Sequence, residues 1–408
     1  MGKIPEQVNN VGALTKARIN KLIDIYRSGL LEDTVPFWLN HAIDEKYGGF
    51  TFAMDRDGTL LSGDKYIWLH GRFVWLLSTL YTQIEPRAEW LRWAQHGLEF
   101  LKKYAFAESG KMYFSVDQQG RPLRMRRYIF SESFMVIALA AYAQATNDVK
   151  IAQQALDLFK QMLNYLNTPG LLEPKVEPQT RPMKGLAVNM ITITTAQTLR
   201  CVSDDPICDQ AIDKAIADIE SHFMHHELAM VLEAVGPNGE LIDTLEGRTV
   251  LPGHAIEAAW FILYEAIHRD NDRRLRNIGL TILDWMWKAG WDKSYGGLLY
   301  FVDAKGLSCS EYYHDMKFWW PHNETIIASL LAYQITGDAK YNKMHDTVHE
   351  WTYAHFPDPE YGEWFGYLHR DGSVSTHLKG NQWKGAFHVP RMQLLASKIL
   401  EDIARSSA

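Results

Sequence analysis

"DEKYGGFTFAMDRDG", residues 44–58, places a glycine-bearing turn before a short aromatic run and closes on a polar turn that ends in Gly58. The same plan returns in "AESGKMYFSVDQQG" (107–120), "DKSYGGLLYFVDAKG" (292–306) and "DPEYGEWFGYLHRDG" (358–372), with a looser copy in "HHELAMVLEAVGPNG" (225–239). The stretch between residues 110 and 229 leaves room for one degenerate copy near "NTPGLLEPKV" (167–176). From Gly48 to Gly110 is 62 residues and from Gly296 to Gly362 is 66, so six units of this length account for the 408 residues. A fixed period of this size is the mark of a repeat architecture.

Between the turns the apolar residues recur with helical periodicity. Examples are "YIWLHGRFVWLLSTLY" (66–81), "IAQQALDLFKQMLNYL" (151–166), "HAIEAAWFILYEAIHR" (254–269) and "VPRMQLLASKILEDIA" (389–404). With "ALTKARINKLIDIYRSGLL" (13–31), about twelve helices in pairs are predicted. Strands are confined to the turns, which argues against a βαβ plan. Paired helices form either an open solenoid or a closed ring. Neither end has a polar capping helix, and one helix of each pair is apolar nearly all round, as a helix inside a ring must be. The sequence therefore predicts an all-α fold, a single (α/α)6-barrel domain over residues 1–408, with an open helical-repeat scaffold as the alternative.

Composition narrows the partners. A net charge of −7 without a basic block argues against nucleic acid or an anionic membrane. The opening "MGKIPEQVNNVGALTK" has no apolar leader and has Glu6 where an acylation signal prefers Ser or Thr, and no apolar run reaches membrane-span length. Cys201, Cys208 and Cys309 match neither a zinc site nor a redox pair, which predicts reduced side chains and a cytoplasmic location. The 14 Trp, 19 Tyr and 17 Phe are many, and serve either as large core residues or as the lining of a sugar cleft.

In such a ring, the first turns of the inner helices at one end form a pocket, so polar residues there are the candidates. Arg72 lies one helical turn after Trp68 and three residues before Trp75, sharing a face with both indoles. His254 and Glu257 of "LPGHAIEAAWF" are spaced as i, i+3 partners, as are His388 and Arg391 of "FHVPR". His322 and Glu324 follow the tryptophan pair, with Trp320 among it, in "KFWWPHNET", where Pro321 suits a first helical position. Each has a structural explanation by itself, but all fall just after a repeat turn and so at the same end of the ring.

No G-x-S-x-G, Walker A, G-x-G-x-x-G or H-E-x-x-H string occurs. The His/Glu pairs are spaced for hydrogen bonding rather than for a metal, so no metal site is expected. A glycoside hydrolase needs two carboxylates across the pocket, and Glu324, Glu257, Glu363 and Asp292 are candidates for that reading. Two histidines and an arginine suit another reaction. Moving a proton from one face to the other of a carbon beside a carbonyl needs two acid/base groups near neutral pKa and a fixed cation for the enolate. His254, His388 and Arg72 supply these.

At these motifs the chain resembles the N-acylglucosamine 2-epimerase family. The matching strings are "DKYIWLHGRFVW", "IFSESF", "EGRTVLPGHAIEAAWF", "WDKSYGGLLYF", "KFWWPHNET", "DPEYGEWFGYLHRDG" and "LKGNQWKGAFHVPR", in order along nearly the whole chain. The resemblance implies an (α/α)6 barrel, commonly a homodimer, that deprotonates and reprotonates C2 of a ring-opened aldose without redox cofactor or metal. It places the two family histidines on His254 and His388, the enolate-stabilising arginine on Arg72 and the acidic residue on Glu324. Trp68, Glu257, Trp320, His322, Asn189 and Arg391 are then candidate substrate-binding residues. Relatives acting on mannose or cellobiose have a histidine in an "NMH" string where "LAVNMITIT" has Ile191, which favours the N-acetylglucosamine/N-acetylmannosamine pair over mannose/glucose. Family members that use ATP as an allosteric activator have a Gly/Lys-rich segment before "RPMK". Here "NYLNTPGLLEPKVEPQTRPMK" is poor in both, which argues against ATP activation. A mammalian relative is also called renin-binding protein, which adds a non-catalytic binding role as a third reading.

Overall fold

Helix α1 (Lys16–Ser28) runs through a π-helical segment, Gly29–Thr34, into α2 (Val35–His41), and the junction residues Gly29, Thr34 and Val35 keep right-handed helical dihedrals, so the three form one rod. The computed structural model describes residues 14–125 and 128–406; the first thirteen residues, on which most of the reading of the leader rests, lie outside the described residues. The rods that follow are α3 (Ile67–Gln83), α4 (Ala88–Tyr104), α5 (Phe130–Thr146), α6 (Val149–Asn167), α7 (Leu186–Leu199), α8 (Ile207–Asp218), α9 (Pro252–His268), α10 (Arg273–Gly290), α11 (Trp319–Thr336), α12 (Ala339–His355) and α13 (His388–Ser406). From α3 to α13 the odd-numbered helices pack one on the next as an inner ring, each even-numbered helix backs the inner helix before it, and α13 backs onto α1. This is the (α/α)6 toroid that the repeat predicts.

Sequence explains which helix goes inside. On α5 every residue from Ser131 to Ala143 is buried. On α10 only one stripe is: Leu275, Ile278, Gly279, Ile282, Leu283 and Met286, the spacing of a helix with one wet face. Outer helices α6, α10 and α12 start on Asp148, Asp272 and Asp338, whose carboxylates accept backbone N–H bonds. The inner helices α3, α5, α7, α9 and α11 have no such side-chain cap. The first N–H of α3, α7 and α11 donates to a hairpin carbonyl, of Phe114, Glu233 and Gly366, and the positive ends of these helix dipoles face the mouth of the ring. The ring closes between α13 and α3 through Phe387, whose ring lies 5.5 Å from Trp75 and 5.6 Å from Phe134, and through the Trp68 indole N–H, which donates to the Gln382 carbonyl at 3.1 Å.

The repeat turns stitch the units together. The two residues before an inner helix pair with a later hairpin: Lys65–Tyr66 with Ser115–Val116, Lys184–Gly185 with Ala234–Val235, Thr249–Val250 with Val302–Asp303, and Lys317–Phe318 with Tyr367–Leu368. The stretch near 167–176 is irregular chain rather than another hairpin. In three copies the first aspartate of the repeat forms a buried ion pair, Asp44–Lys65 at 2.9 Å, Asp292–Lys317 at 3.0 Å and Asp358–Lys379 at 2.8 Å. Gly48, Gly296 and Gly362 turn with φ near +80°, and Ala229 takes the same place in the looser copy at φ +49°. All three cysteines are free, and no helix among the described residues is long and apolar enough to cross a membrane.

Candidate active site

A cavity of about 850 Å³ opens at the uncapped end of the inner ring. It is layered. The mouth is aromatic, with Trp68, Tyr300, Tyr313, Trp320, Tyr367 and Trp383; Arg72, Glu233, His254, Glu257, His388 and Arg391 form a charged belt; Ile137, Ile191, Phe261 and Leu395 add apolar lining, and Thr194 and Thr198 lie further along α7. Along α7 the lining residues are Ala187, Met190, Ile191, Thr194 and Thr198, one face of a helix over eleven residues. At 1.5 Å rise per residue the lumen is therefore about 16 Å deep.

Arg72 is buried with its guanidinium carbon 4.3 Å from the Trp68 ring, 4.3 Å from Phe134 and 4.6 Å from Phe387. Trp75, its other predicted neighbour, lines the same cavity. The Nε atom of Arg72 has no hydrogen-bond partner, and among the described residues no carboxylate lies at ion-pair distance from this cation. Burial pulls its pKa down to about 9, so it stays charged at neutral pH at a cost in desolvation.

His388 is held from behind. Glu324 Oε1 lies 2.7 Å from His388 Nδ1 and 2.6 Å from Arg391 Nη2, while Oε2 accepts the Trp260 indole N–H at 2.8 Å. With Nδ1–H donated to Glu324, the remaining nitrogen, Nε2, is a free base. Burial, then the cations Arg391 and Arg72, push this imidazole well below its ordinary pKa, so it is neutral at pH 7. Glu324 itself is fully buried behind the belt.

His254 stands in a different field. Burial works against its charge, but Glu233, with both oxygens 3.1 Å from Nδ1, and then Glu257 and Glu324 together outweigh this, and its pKa is raised. The Trp320 ring touches both imidazoles, 5.1 Å from His254 and 5.8 Å from His388. One cavity thus holds a proton acceptor, a proton donor and a fixed cation.

Three expectations need correction. Glu257 does not partner His254; it lies 2.5 Å from Arg391 Nη2, and His254 turns to Glu233 instead. His322 is outside the cavity lining: its Nε2 accepts the Leu298 N–H at 2.9 Å, its Nδ1–H donates to the Phe318 carbonyl at 2.7 Å, and burial holds its pKa near 3. It clamps a repeat turn. Asn189 lies on the face of α7 away from the lumen, some 150° from the Met190–Ile191 edge at 100° per residue, and donates to Asp218 at 2.6 Å. Of the carboxylates considered for glycoside hydrolysis, Asp292 is tied to Lys317 and Arg370, and Glu363 to Lys384 and Trp38, all in the scaffold. Donor atoms of Glu257, Glu324 and His388 approach within 4.8 Å, but the Arg391 guanidinium already serves as the cation of that cluster. Glu233 was missed, because it lies in the loosest copy of the repeat, 21 residues from His254.

Aromatic walls and a proton donor facing a proton acceptor inside a closed helical ring belong to a carbohydrate isomerase that works by moving protons. The family model described as N-acylglucosamine 2-epimerase (GlcNAc 2-epimerase) matches residues 48–389, and the chain belongs to that family. It is 37% identical to N-acylglucosamine 2-epimerase of Bos taurus over 91% of this chain and 90% of the relative. With the Homo sapiens N-acylglucosamine 2-epimerase it shares 35% over 91% and 88%. Cellobiose 2-epimerase of Eubacterium cellulosolvens is more distant, at 25% over 90% of this chain and 95% of that protein. Among solved structures, cellobiose 2-epimerase from Bacillus thermoamylovorans B4167 superimposes with a TM-score of 0.82 at 22% identity over 95% of this chain and 100% of that one, which shows the shared fold.

Proposed function

We propose that this protein interconverts N-acetyl-D-glucosamine and N-acetyl-D-mannosamine by proton transfer at C2 of the open-chain sugar. The observation that carries the reading is the unequal setting of two imidazoles that both touch Trp320, with Arg72, which has no ion-pair partner among the described residues, in the same cavity. In one direction His388 Nε2 takes the C2 proton, and the C–H electron pair moves into the C1 carbonyl, whose oxygen becomes an enolate. Arg72, pre-placed without a counter-ion, stabilises that charge, and the uncapped inner-helix ends add to it. The His254 imidazolium then delivers a proton to the other face of C2, which inverts the centre. The reverse reaction exchanges the two roles, and each cycle ends when the imidazoles re-equilibrate their protons with water.

The N-acetylated substrate is supported by relatives at 35–37% identity bearing the N-acylglucosamine name, and by the apolar side chain of Ile191 in the cavity lining, which suits an acyl methyl better than a sugar hydroxyl. The reading takes residues 1–408 as one domain acting in the cytoplasm as a homodimer, without redox cofactor, metal or ATP requirement. Net charge, the free cysteines and the Gly/Lys-poor segment before Arg181 support this. The test is NMR in D2O with N-acetylmannosamine, D-mannose and cellobiose, each with and without ATP. Deuterium should enter C2 of the N-acetylated sugar without ATP, and His254→Ala or His388→Ala should abolish it. Exchange with mannose but not with N-acetylmannosamine would move the substrate to the mannose/glucose pair, and full activity in either histidine variant would overturn the mechanism.

A further inference from the structure

The repeat shows what the scaffold requires at each position, and one residue of the cavity breaks it. Aligned on their closing glycines, the copies place Phe52, Phe114, Tyr300 and Gly366 at one position of the aromatic run, and the looser copy has Glu233 there. Phe52 and Phe114 are buried in the core, and Tyr300 is part of the mouth. The other copies have an aromatic ring or a glycine at this place and none has a charge, so the carboxylate is a departure of this copy alone.

We propose that Glu233 is a positioning residue for the reaction inferred above, which fixes the His254 ring with Nε2 toward the cavity and keeps a proton on it between turnovers. The inference rests on the epimerase reading and deepens it. Geometry supports it first. Both carboxylate oxygens lie 3.1 Å from Nδ1, so Nδ1–H points at Glu233 and only Nε2 can reach a substrate. The backbone is anchored as well: the Glu233 carbonyl accepts the Leu186 N–H at 3.0 Å at the start of α7, and the next residue back, Leu232, donates to the Phe223 carbonyl at 3.0 Å.

Glu257 and Glu324 also favour a charged His254, but from further off, and only Glu233 is in hydrogen-bond contact with its ring among the described residues. Glu257, on its own helix, is committed to Arg391, and Glu324, from α11, is shared by Arg391, His388 and Trp260. From α13 and α3, His388, Arg391 and Arg72 bring positive or neutral groups that disfavour a second cation. Glu233 has no ion-pair partner other than His254 among the described residues. Its negative charge is therefore spent on this imidazole alone.

The experiment is the pH profile of kcat/KM for C2 exchange in D2O. Glu233→Gln keeps the shape and an acceptor oxygen for Nδ1–H but removes the charge. The alkaline limb, where the His254 imidazolium is lost, should then move to lower pH by about one unit, the size of a single close carboxylate's effect. The acid limb, set by His388, should stay. About tenfold of kcat should be lost on the alkaline side, with KM little changed and near-normal rates on the acid side. Glu233→Asp should recover part of the limb, and it gives the same readout should the Gln variant fail to fold. A loss that is equal at all pH values, or an unmoved alkaline limb, would overturn the proposal. Absence of C2 exchange in the unaltered protein would instead sink the epimerase reading itself.

Discussion

Replacing Arg72 with methionine should make the protein more stable and nearly inactive at once. The guanidinium lies buried among Trp68, Phe134 and Phe387 with no counter-ion, and burial lowers its pKa to about 9. A fall from above 12 to 9, at about 1.36 kcal/mol per unit, means that holding the charge there costs the folded state roughly 4 kcal/mol at neutral pH. The sign follows from the direction. The depressed group prefers to be neutral when folded, so the cost is present below pH 9 and is relieved only as pH rises through 9. Stacking on three rings returns about 0.5–1 kcal/mol each. Methionine fills the space, keeps contact with the aromatics and removes the charge, which leaves a net gain of about 1–3 kcal/mol. For a chain of this length, at about 2.1 cal/mol/K per residue, that raises Tm by roughly 1–4 °C. Activity should fall about 10²–10³-fold through kcat, the effect of removing one donor from a site that stabilises an oxyanion. Differential scanning calorimetry and C2 deuterium exchange read the two effects. A methionine variant that is less stable than its parent, or that keeps its kcat, would refute the view of Arg72 as an uncompensated cation held for the enolate.

Glu324→Gln should lower kcat by about 10²-fold or more, by freeing the His388 ring and leaving Arg391 short of charge, and steady-state kinetics at a pH above the acid limb should show KM nearly unchanged. Asp292→Asn should cost about 3–5 kcal/mol in urea unfolding, because Lys317 is left as an unpaired buried cation with Arg370 beside it; a cost below about 1 kcal/mol would contradict this. Stability should decline as pH falls below about 6.5, since His70 and His322 are held near pKa 3 by burial and stay neutral when folded while the unfolded chain takes up protons. Each adds up to about 1.4 kcal/mol per pH unit to that decline, which thermal unfolding from pH 7 to 5 would register. Ile191→Asp should remove activity on N-acetylmannosamine and also lower Tm, because the position lines the cavity but is nearly buried, and the new carboxylate has no partner there.

The ring was legible because its period is visible: glycines recur where φ must be positive, and an aspartate recurs where a buried lysine must be met. The belt was partly legible. Arg72, His254 and His388 stood out as polar residues in apolar helices, and the structure brings them into one cavity. What sequence spacing could not show was partnership across helices. The i, i+3 rule paired His254 with Glu257, whereas the ring brings Arg391 of the last helix to Glu257 and a loop carboxylate to His254. Such contacts span more than 20 residues, and in a toroid they are decided by closure rather than by local register.

The chain does contain a signal that separates scaffold from site, and it comes from comparing the repeat with itself. Laid on its buried lysine, "KYIWLHGR" (65–72) matches "KFWWPHNE" (317–324). The shared histidines, His70 and His322, do the same job: each accepts a turn N–H, from Phe50 and from Leu298, and donates to the carbonyl four residues back. In the third copy Lys384 takes that place and ties down Glu363 of its own turn. A residue that recurs is explained by the turn it clamps. The two strings differ at five of their eight positions, and at the one of these where both are charged, Arg72 against Glu324, one copy supplies the cation of the cavity and the other the carboxylate behind His388. Glu233 breaks the pattern in the same way, against the uncharged Phe52, Phe114, Tyr300 and Gly366. Six copies of one unit give the ring its shape, so the chemistry has to come from the positions at which a copy departs from its siblings.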